Sequence, residues 1–344
     1  MPSVRRLSLG LYSLENLSSP KLLIRPAIAG DLPRILELYR FTMGGLPKMR
    51  SEAYWKWKHL DNPFGASPVM LAWEGDELIG MRVFLRWQFL RGGRVVNAYR
   101  AVDTATHPAH RGKGIFTALT MHMLSHLEAG PPALIFNTPN ASSKPGYLKM
   151  GWQTHARTRL LLGARPFARL FKGERTDAGS VPATAFDFIG VEDIISTWQA
   201  GNEGSFMVRY SPAYLQWRYA AVPVADYEVA LRRGSDSSVL VIYRMKRTKG
   251  LNEMRICEVF LAGVDCGRLF KNLIDNLMNQ EQPDVVTLID GPCGDLKARL
   301  PKWFFRAERL GLDITVRELN DHAIFDAASA PGGWYWSAGT LELF

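Results

Sequence analysis

Apolar positions recur along the chain with two distinct periods, and they lay out its elements. Lys21-Leu22-Leu23-Ile24-Arg25-Pro26 is a short apolar run closed by proline and predicts a strand. Behind it Leu32, Ile35, Leu36 and Tyr39 fall at helical spacing, and Asp31 stands where a carboxylate can cap the free amides of a first turn. Residues 68–74, 78–89 and 95–106 then read as three strands. Gly75-Asp76 and Gly92-Gly93 join them, glycine accepting the positive φ of a tight hairpin. The result is an antiparallel meander.

At Pro108 the pattern changes. A glycine-rich loop leads into a helix with Phe116, Leu119, Met123 and Leu127 on one face. Gly130-Pro131-Pro132 ends it, and Ala133 to Phe136 is a short, wholly apolar strand. Strand, helix and strand in succession predict a parallel crossover. A short helix near residues 142–150 and a strand from Trp152 to Leu162 complete a first unit over residues 21–162. Residues 163–185 mix charge, Gly, Pro, Thr and Ser with weak periodicity and read as a linker. Residues 1–20 read as a loosely ordered arm, and 186–344 as a second unit.

The second unit echoes the first. Tyr54-Trp55-Lys56-Trp57-Lys58 resembles Tyr214-Leu215-Gln216-Trp217-Arg218 at a constant offset of 160, which also carries Pro63 onto Pro223 and Val69-Met70-Leu71 onto Val229-Ala230-Leu231. Tyr, Trp, a base and Pro in register, followed by strands in register, point to duplication. The plainer alternative is two unrelated aromatic helices.

Composition narrows the class. With 344 residues, 47% hydrophobic and 22% charged, the chain has material for two globular cores. No apolar run reaches 18 residues, so no membrane span is expected, and no signal-peptide core is seen. Cys257, Cys266 and Cys293 form no C-x-x-C pair, so neither a disulfide framework nor a metal site is expected. These features read as a cytoplasmic protein. The net charge of +9 favours an anionic partner, but the bases are scattered. The patch Arg82-Val83-Phe84-Leu85-Arg86-Trp87 is the best candidate for nucleic acid. It reads more simply as a strand with arginines outward, and no nucleic acid partner is expected.

The chemistry concentrates in Arg111-Gly112-Lys113-Gly114-Ile115-Phe116, between a strand and a helix. The first amides of a helix lack intrahelical partners and favour an anion. The glycines allow close backbone approach, and Arg111 and Lys113 add charge. A pyrophosphate suits such a nest. A Walker loop would need Ser or Thr where Gly114 stands, and a dinucleotide fingerprint would need glycine at Thr117.

The remaining pattern, Gln/Arg-x-x-Gly-x-Gly/Ala, resembles the acyl-CoA loop of the GCN5-related N-acetyltransferases (GNAT). Arg111 and Gly114 match it, while Phe116 departs from it. The run from Asn140 to Trp152, ending Tyr147-Leu148-Lys149-Met150-Gly151-Trp152, is similar to the family's second motif. The resemblance covers about residues 21–160, and the paired aromatic segments suit two-unit members. It implies an α/β (α+β) fold: a mixed, mostly antiparallel sheet flanked by helices, here duplicated.

It further implies direct acyl transfer from acetyl-CoA, or a longer acyl-CoA, to the primary amine of a small-molecule acceptor. The donor would be held by Arg111, Gly112, Lys113, Gly114, Ile115, Phe116 and Asn140. A backbone amide near the end of the 101–106 strand would meet the oxyanion, and Tyr147 would protonate the departing thiolate. Asp103 is a candidate base; His107 ranks below it as a strand-end cap. The second unit keeps one glycine in Cys266-Gly267-Arg268-Leu269-Phe270 and is expected to have lost the donor site, with Trp334, Tyr335 and Trp336 either lining a wall or filling the core. A rival class is a protein that binds acyl-CoA, or offers a basic surface, without catalysis.

Overall fold

The computed structural model describes residues 22–42, 44, 47–164, 179–248, 250–290, 296–320 and 333–341. The N-terminal arm, most of the linker and Cys293 lie outside them.

Two mixed sheets of matching plan make up the molecule. In chain order the first half supplies β1 (Leu22–Pro26), β2 (Val69–Glu74), β3 (Glu77–Arg91), β4 (Arg94–Thr106), β5 (Ala133–Asn137), β6 (Gln153–Arg157) and β7 (Arg159–Ala164). The second half supplies β8 (Ser180–Pro182), β9 (Met207–Val208), β10 (Glu228–Arg233), β11 (Ser237–Thr248), β12 (Leu251–Gly263), β13 (Val285–Asp290), β14 (Phe304–Arg306) and β15 (Asp313–Leu319). The first sheet runs β1-β2-β3-β4-β5-β15-β6, with β9 paired to β3; the second runs β8-β10-β11-β12-β13-β7-β14. In each, a three-strand meander is followed by one parallel neighbour, β5 beside β4 and β13 beside β12.

The halves exchange a strand. β7 lies in the second sheet against β13, and β15 lies in the first sheet between β5 and β6. The single strand expected over Trp152–Leu162 therefore breaks at Thr158 and serves both sheets. The two units interleave and do not follow one another as 21–162 and 186–344. β8 and the turn after it, residues 180–185, belong to the second unit and not to a linker.

Helices flank the sheets: α1 (Leu32–Thr42), α2 (Glu52–His59) and α3 (Ile115–Glu128) in the first unit, and α5 (Glu192–Ala200) and α7 (Cys266–Glu281) in the second, with short α4 (Lys144–Lys149), α6 (Pro212–Leu215), α8 (Leu296–Arg299) and α9 (Ala338–Leu341). Leu119, Met123 and Leu127 of α3 pack on Phe84 and Ile135 of the first sheet, as the spacing predicted. A Cβ on Gly80 would come within 2.8 Å of Ile115, so the bare glycine seats the first turn of α3 on β3.

The repeated aromatics meet between the units. Ser51 and Ser211 cap the two aromatic segments through the amides of Tyr54 and Tyr214. Each indole of Trp57 and Trp217 donates to the other residue's carbonyl at 2.7 Å, with the rings stacked 5.0 Å apart. This reciprocity is what a duplicated segment gives when its copies meet across a local two-fold axis. Trp334, Tyr335 and Trp336 are buried in the same core.

Candidate functional site

The site grows from an opening between β4 and β5. These strands pair over Ala98–Arg100 with 134–136, and the recorded pairing ends there. Beyond it Thr104, Ala105 and Thr106 line a cavity of about 840 Å³. The other walls are the loop from His110 to Gly114, the first turn of α3, Thr42, and Asn140 with Ser142 and Ser143. The β4 edge therefore presents backbone groups to a ligand.

The loop is shaped as its glycines require. Gly112 and Gly114 both take φ +78°, where a Cβ would be strained, yet nothing lies within 4 Å of the place a Cβ would occupy. Ala118 N–H closes the first α3 bond on Gly114, so the preceding amides stay free at the positive end of a 14-residue helix. Arg111 and Lys113 are exposed beside them. Free amides, two bases and open space form a cradle for a phosphate anion, and the residues fit a pyrophosphate-bearing donor. Phe116 is half-buried: it lines the cavity and packs edge-on against Tyr147, with centroids 5.6 Å apart. Asn140 lines the opposite wall, where its Oδ1 accepts the Ser143 amide at 2.9 Å and braces the turn into α4.

Opposite Arg82 of β3, the β4 strand carries a bulge at Asp103 and Thr104. Asp103 takes φ +42°, and the two side chains leave on different sides. Asp103 turns to α2, where it accepts from Lys58 Nζ at 2.7 Å and His59 Nε2 at 2.9 Å. Burial alone would raise its pKa, but Lys58 and His59 outweigh burial and hold it far below the usual carboxylate range. Burial also opposes the Lys58 charge, and Asp103 overcomes it. His59 is pushed down by burial, so its neutral ring donates to Asp103. A carboxylate held so firmly in its charged, bonded form is a poor proton acceptor, and Asp103 serves as an anchor for α2.

Thr104 turns the other way and accepts from Arg82 Nη1. Arg82 Nη2 donates to Tyr147 Oη at 2.8 Å. The sequence pattern placed Arg82 outward; instead it is wholly buried, because β3 is an inner strand with helix α3 over that face. Arg86 is the exposed one. No linear signal marks Arg82, since its role depends on the bulge across the sheet. His107 caps the turn ahead of the loop, its Nδ1 accepting Ala109 N–H at 3.3 Å. Glu77, His107 and His110 bring donor atoms within 4.8 Å of one another, a grouping that no linear motif marks.

The second unit has a cavity of about 740 Å³ at the start of α7, lined among others by Gly263, Cys266 and Gly267. Its connection from β12 is only Val264 and Asp265 long, too short to form the glycine turn of the first unit.

An open β4 edge, a glycine turn and a helix amino end, all on a meander-plus-crossover sheet, define the GNAT-like acyltransferase fold. Residues 23–155 match the family model of the acetyltransferase (GNAT) domain. Among solved structures, a GCN5-related N-acetyltransferase from Anabaena variabilis ATCC 29413 superimposes with TM-score 0.64 at 16% identity, over 86% of this chain and 72% of that one. A probable N-acyltransferase of unknown function from Enterococcus faecalis V583 gives 0.61 at 12% identity, over 86% and 72%. Eis1 from Mycobacterium abscessus gives 0.56 at 19% identity, over 89% and 76%. No curated protein matches the sequence. The family likeness thus rests on residues 23–155, which match the acetyltransferase (GNAT) domain, and a second unit of the same plan is joined to that segment.

Proposed function

We propose that this protein is an acyl-CoA-dependent N-acyltransferase that moves an acyl group, most simply acetyl, directly to the primary amine of a small molecule. The observation that carries the reading is the placement of Tyr147, buried directly behind Phe116, which itself lines the cavity that the Arg111–Gly114 loop opens. A phosphate cradle alone would serve binding. A phenol one ring behind that cavity adds a proton donor.

In this reading the amides at the start of α3, with Arg111 and Lys113, hold the pyrophosphate of the donor, and Asn140 braces the facing wall. The free edge of β4 over 101–106 offers a backbone amide to the oxyanion formed when the amine attacks the thioester. Tyr147 gives its proton to the departing sulfur. With Asp103 bound to Lys58 and His59, the amine sheds its proton through water. Among the described residues no helix is long and apolar enough to cross a membrane. The buried thiols Cys257 and Cys266 fit action in the reducing cytoplasm.

Tyr147→Phe tests the assignment. In an acetyl-CoA assay with an amine panel, kcat should fall by about 10²–10⁴-fold while KM for the donor changes little. Unchanged turnover would remove Tyr147 from the mechanism. Donor binding with no transfer to any amine would favour the non-catalytic reading.

A further inference from the structure

Arg82 is wholly buried, yet no carboxylate pairs with it among the described residues. Of its five N–H bonds, the structure gives acceptors for Nη1 (Thr104 Oγ1) and Nη2 (Tyr147 Oη), and none for Nε. Around it stand the rings of Phe84, Phe116 and Tyr147, whose centroids lie 4.8, 5.4 and 5.3 Å from the guanidinium carbon. A buried charge without a counter-ion is costly, and ring faces and hydroxyls offset only part of that cost. The arrangement lacks an anion. Two of its neighbours, Thr104 and Phe116, line the cavity of the donor loop.

We propose that Arg82 is the positioning residue of the acid step: it orients Tyr147 and balances the negative charge that arises as the thiolate leaves. This inference rests on the acyltransferase reading above. Tyr147 Oη accepts from Arg82, and no described residue accepts the phenol hydrogen, which leaves it for the sulfur. In the step the amine nitrogen forms its bond to the carbonyl carbon and the carbon–sulfur bond breaks, its electron pair leaving on sulfur. That pair takes the Tyr147 proton, and the resulting phenolate lies against the guanidinium. The proton shed by the new amide nitrogen returns through water to Tyr147. The balance is one amine and one thioester in, one amide and one thiol out.

The test uses the full chain and two ligands, CoA and desulfo-CoA, titrated by calorimetry at pH 8.5, where a fraction of the CoA thiol is ionised. The wild type should bind CoA about tenfold more tightly than desulfo-CoA, a charge-assisted contact to sulfur. In Arg82→Ala that ratio should fall to about one, and Arg82→Lys, which keeps the charge in a folded core, should retain part of it. In turnover, Arg82→Ala should lose on the order of 10²-fold in kcat with donor KM little changed, and added methylguanidinium should restore part of the loss. A merely structural arginine would give neither the sulfur dependence nor the rescue. Equal affinity of the wild type for both ligands, or an unchanged ratio in both variants, overturns this inference alone. Failure of the wild type to bind either ligand overturns the acyl-CoA reading, and this inference with it.

Discussion

Asp103→Asn probes the junction of fold and site. Asp103 sits on the β4 bulge, and its carboxylate holds a lysine whose side chain is only 4% exposed. Asparagine has nearly the same shape and tolerates the left-handed backbone, here φ +42°, so little of the loss comes from geometry. What changes is charge: Lys58 is left buried without its partner. At 2.7 Å and an effective dielectric near 20, the gross attraction is about 6 kcal/mol. Part of it offsets the desolvation of both ions, and removing one member of such a pair costs about 3–5 kcal/mol. Thermal unfolding followed by tryptophan fluorescence should show a midpoint lower by about 5–15 °C. Because the folded-state pKa of Asp103 lies below its unfolded value, its stabilisation is complete above about pH 4 and is lost only as acid takes the pH lower. The gap between variant and wild type should therefore be constant from about pH 6 to 9 and close only in strong acid. Adding Lys58→Met to the variant should recover stability, since no orphan charge remains. A variant within about 1 kcal/mol of wild type would mean that Asp103 does not hold the Lys58 charge.

Three further outcomes are expected. Burial pushes the carboxyl of Glu258 up to about 7 against the hydroxyls of Tyr219, Tyr210 and Ser337, so wild-type stability should fall by about 3 kcal/mol as pH rises from about 4.5 to 7. Glu258→Gln should lack that slope in urea titrations, and parallel curves would count against the assignment. Residues 21–162 expressed alone lack β15, the strand between β5 and β6, and should show no cooperative melt by circular dichroism; a sharp one would mean the strand exchange is dispensable. Gly114→Val forces a branched side chain to φ +78°, at a cost of about 1–2 kcal/mol, and should weaken acetyl-CoA binding about tenfold by calorimetry. Unaltered affinity would separate the loop from the donor.

Much of the first unit was legible because its strands alternate or run apolar between glycine turns, and because Leu119, Met123 and Leu127 keep helical spacing. The repeat was legible too: Trp57 and Trp217, matched only by offset, are in mutual contact. The strand exchange was not. Arg159–Ala164 and Asp313–Leu319 are each apolar enough to be strands, and nothing local says which sheet takes them. Asp103 and Arg82 show a second limit. A one-residue bulge redirects side chains by a whole face, and it turned Asp103 toward Lys58 and Thr104 toward Arg82. Asp31 marks the start of α1 as expected, but its carboxylate bonds back to Arg25 and the Ile28 amide.

One acyl-CoA should bind per chain, on the Arg111–Phe116 loop. Calorimetric titration of the full chain with acetyl-CoA tests it most directly, beside a variant combining Arg111→Ala, Lys113→Ala and Gly114→Val. The wild type should bind one molecule per chain, and the variant none at the same concentrations. Absence of binding to the wild type, or equal binding to both, would contradict it.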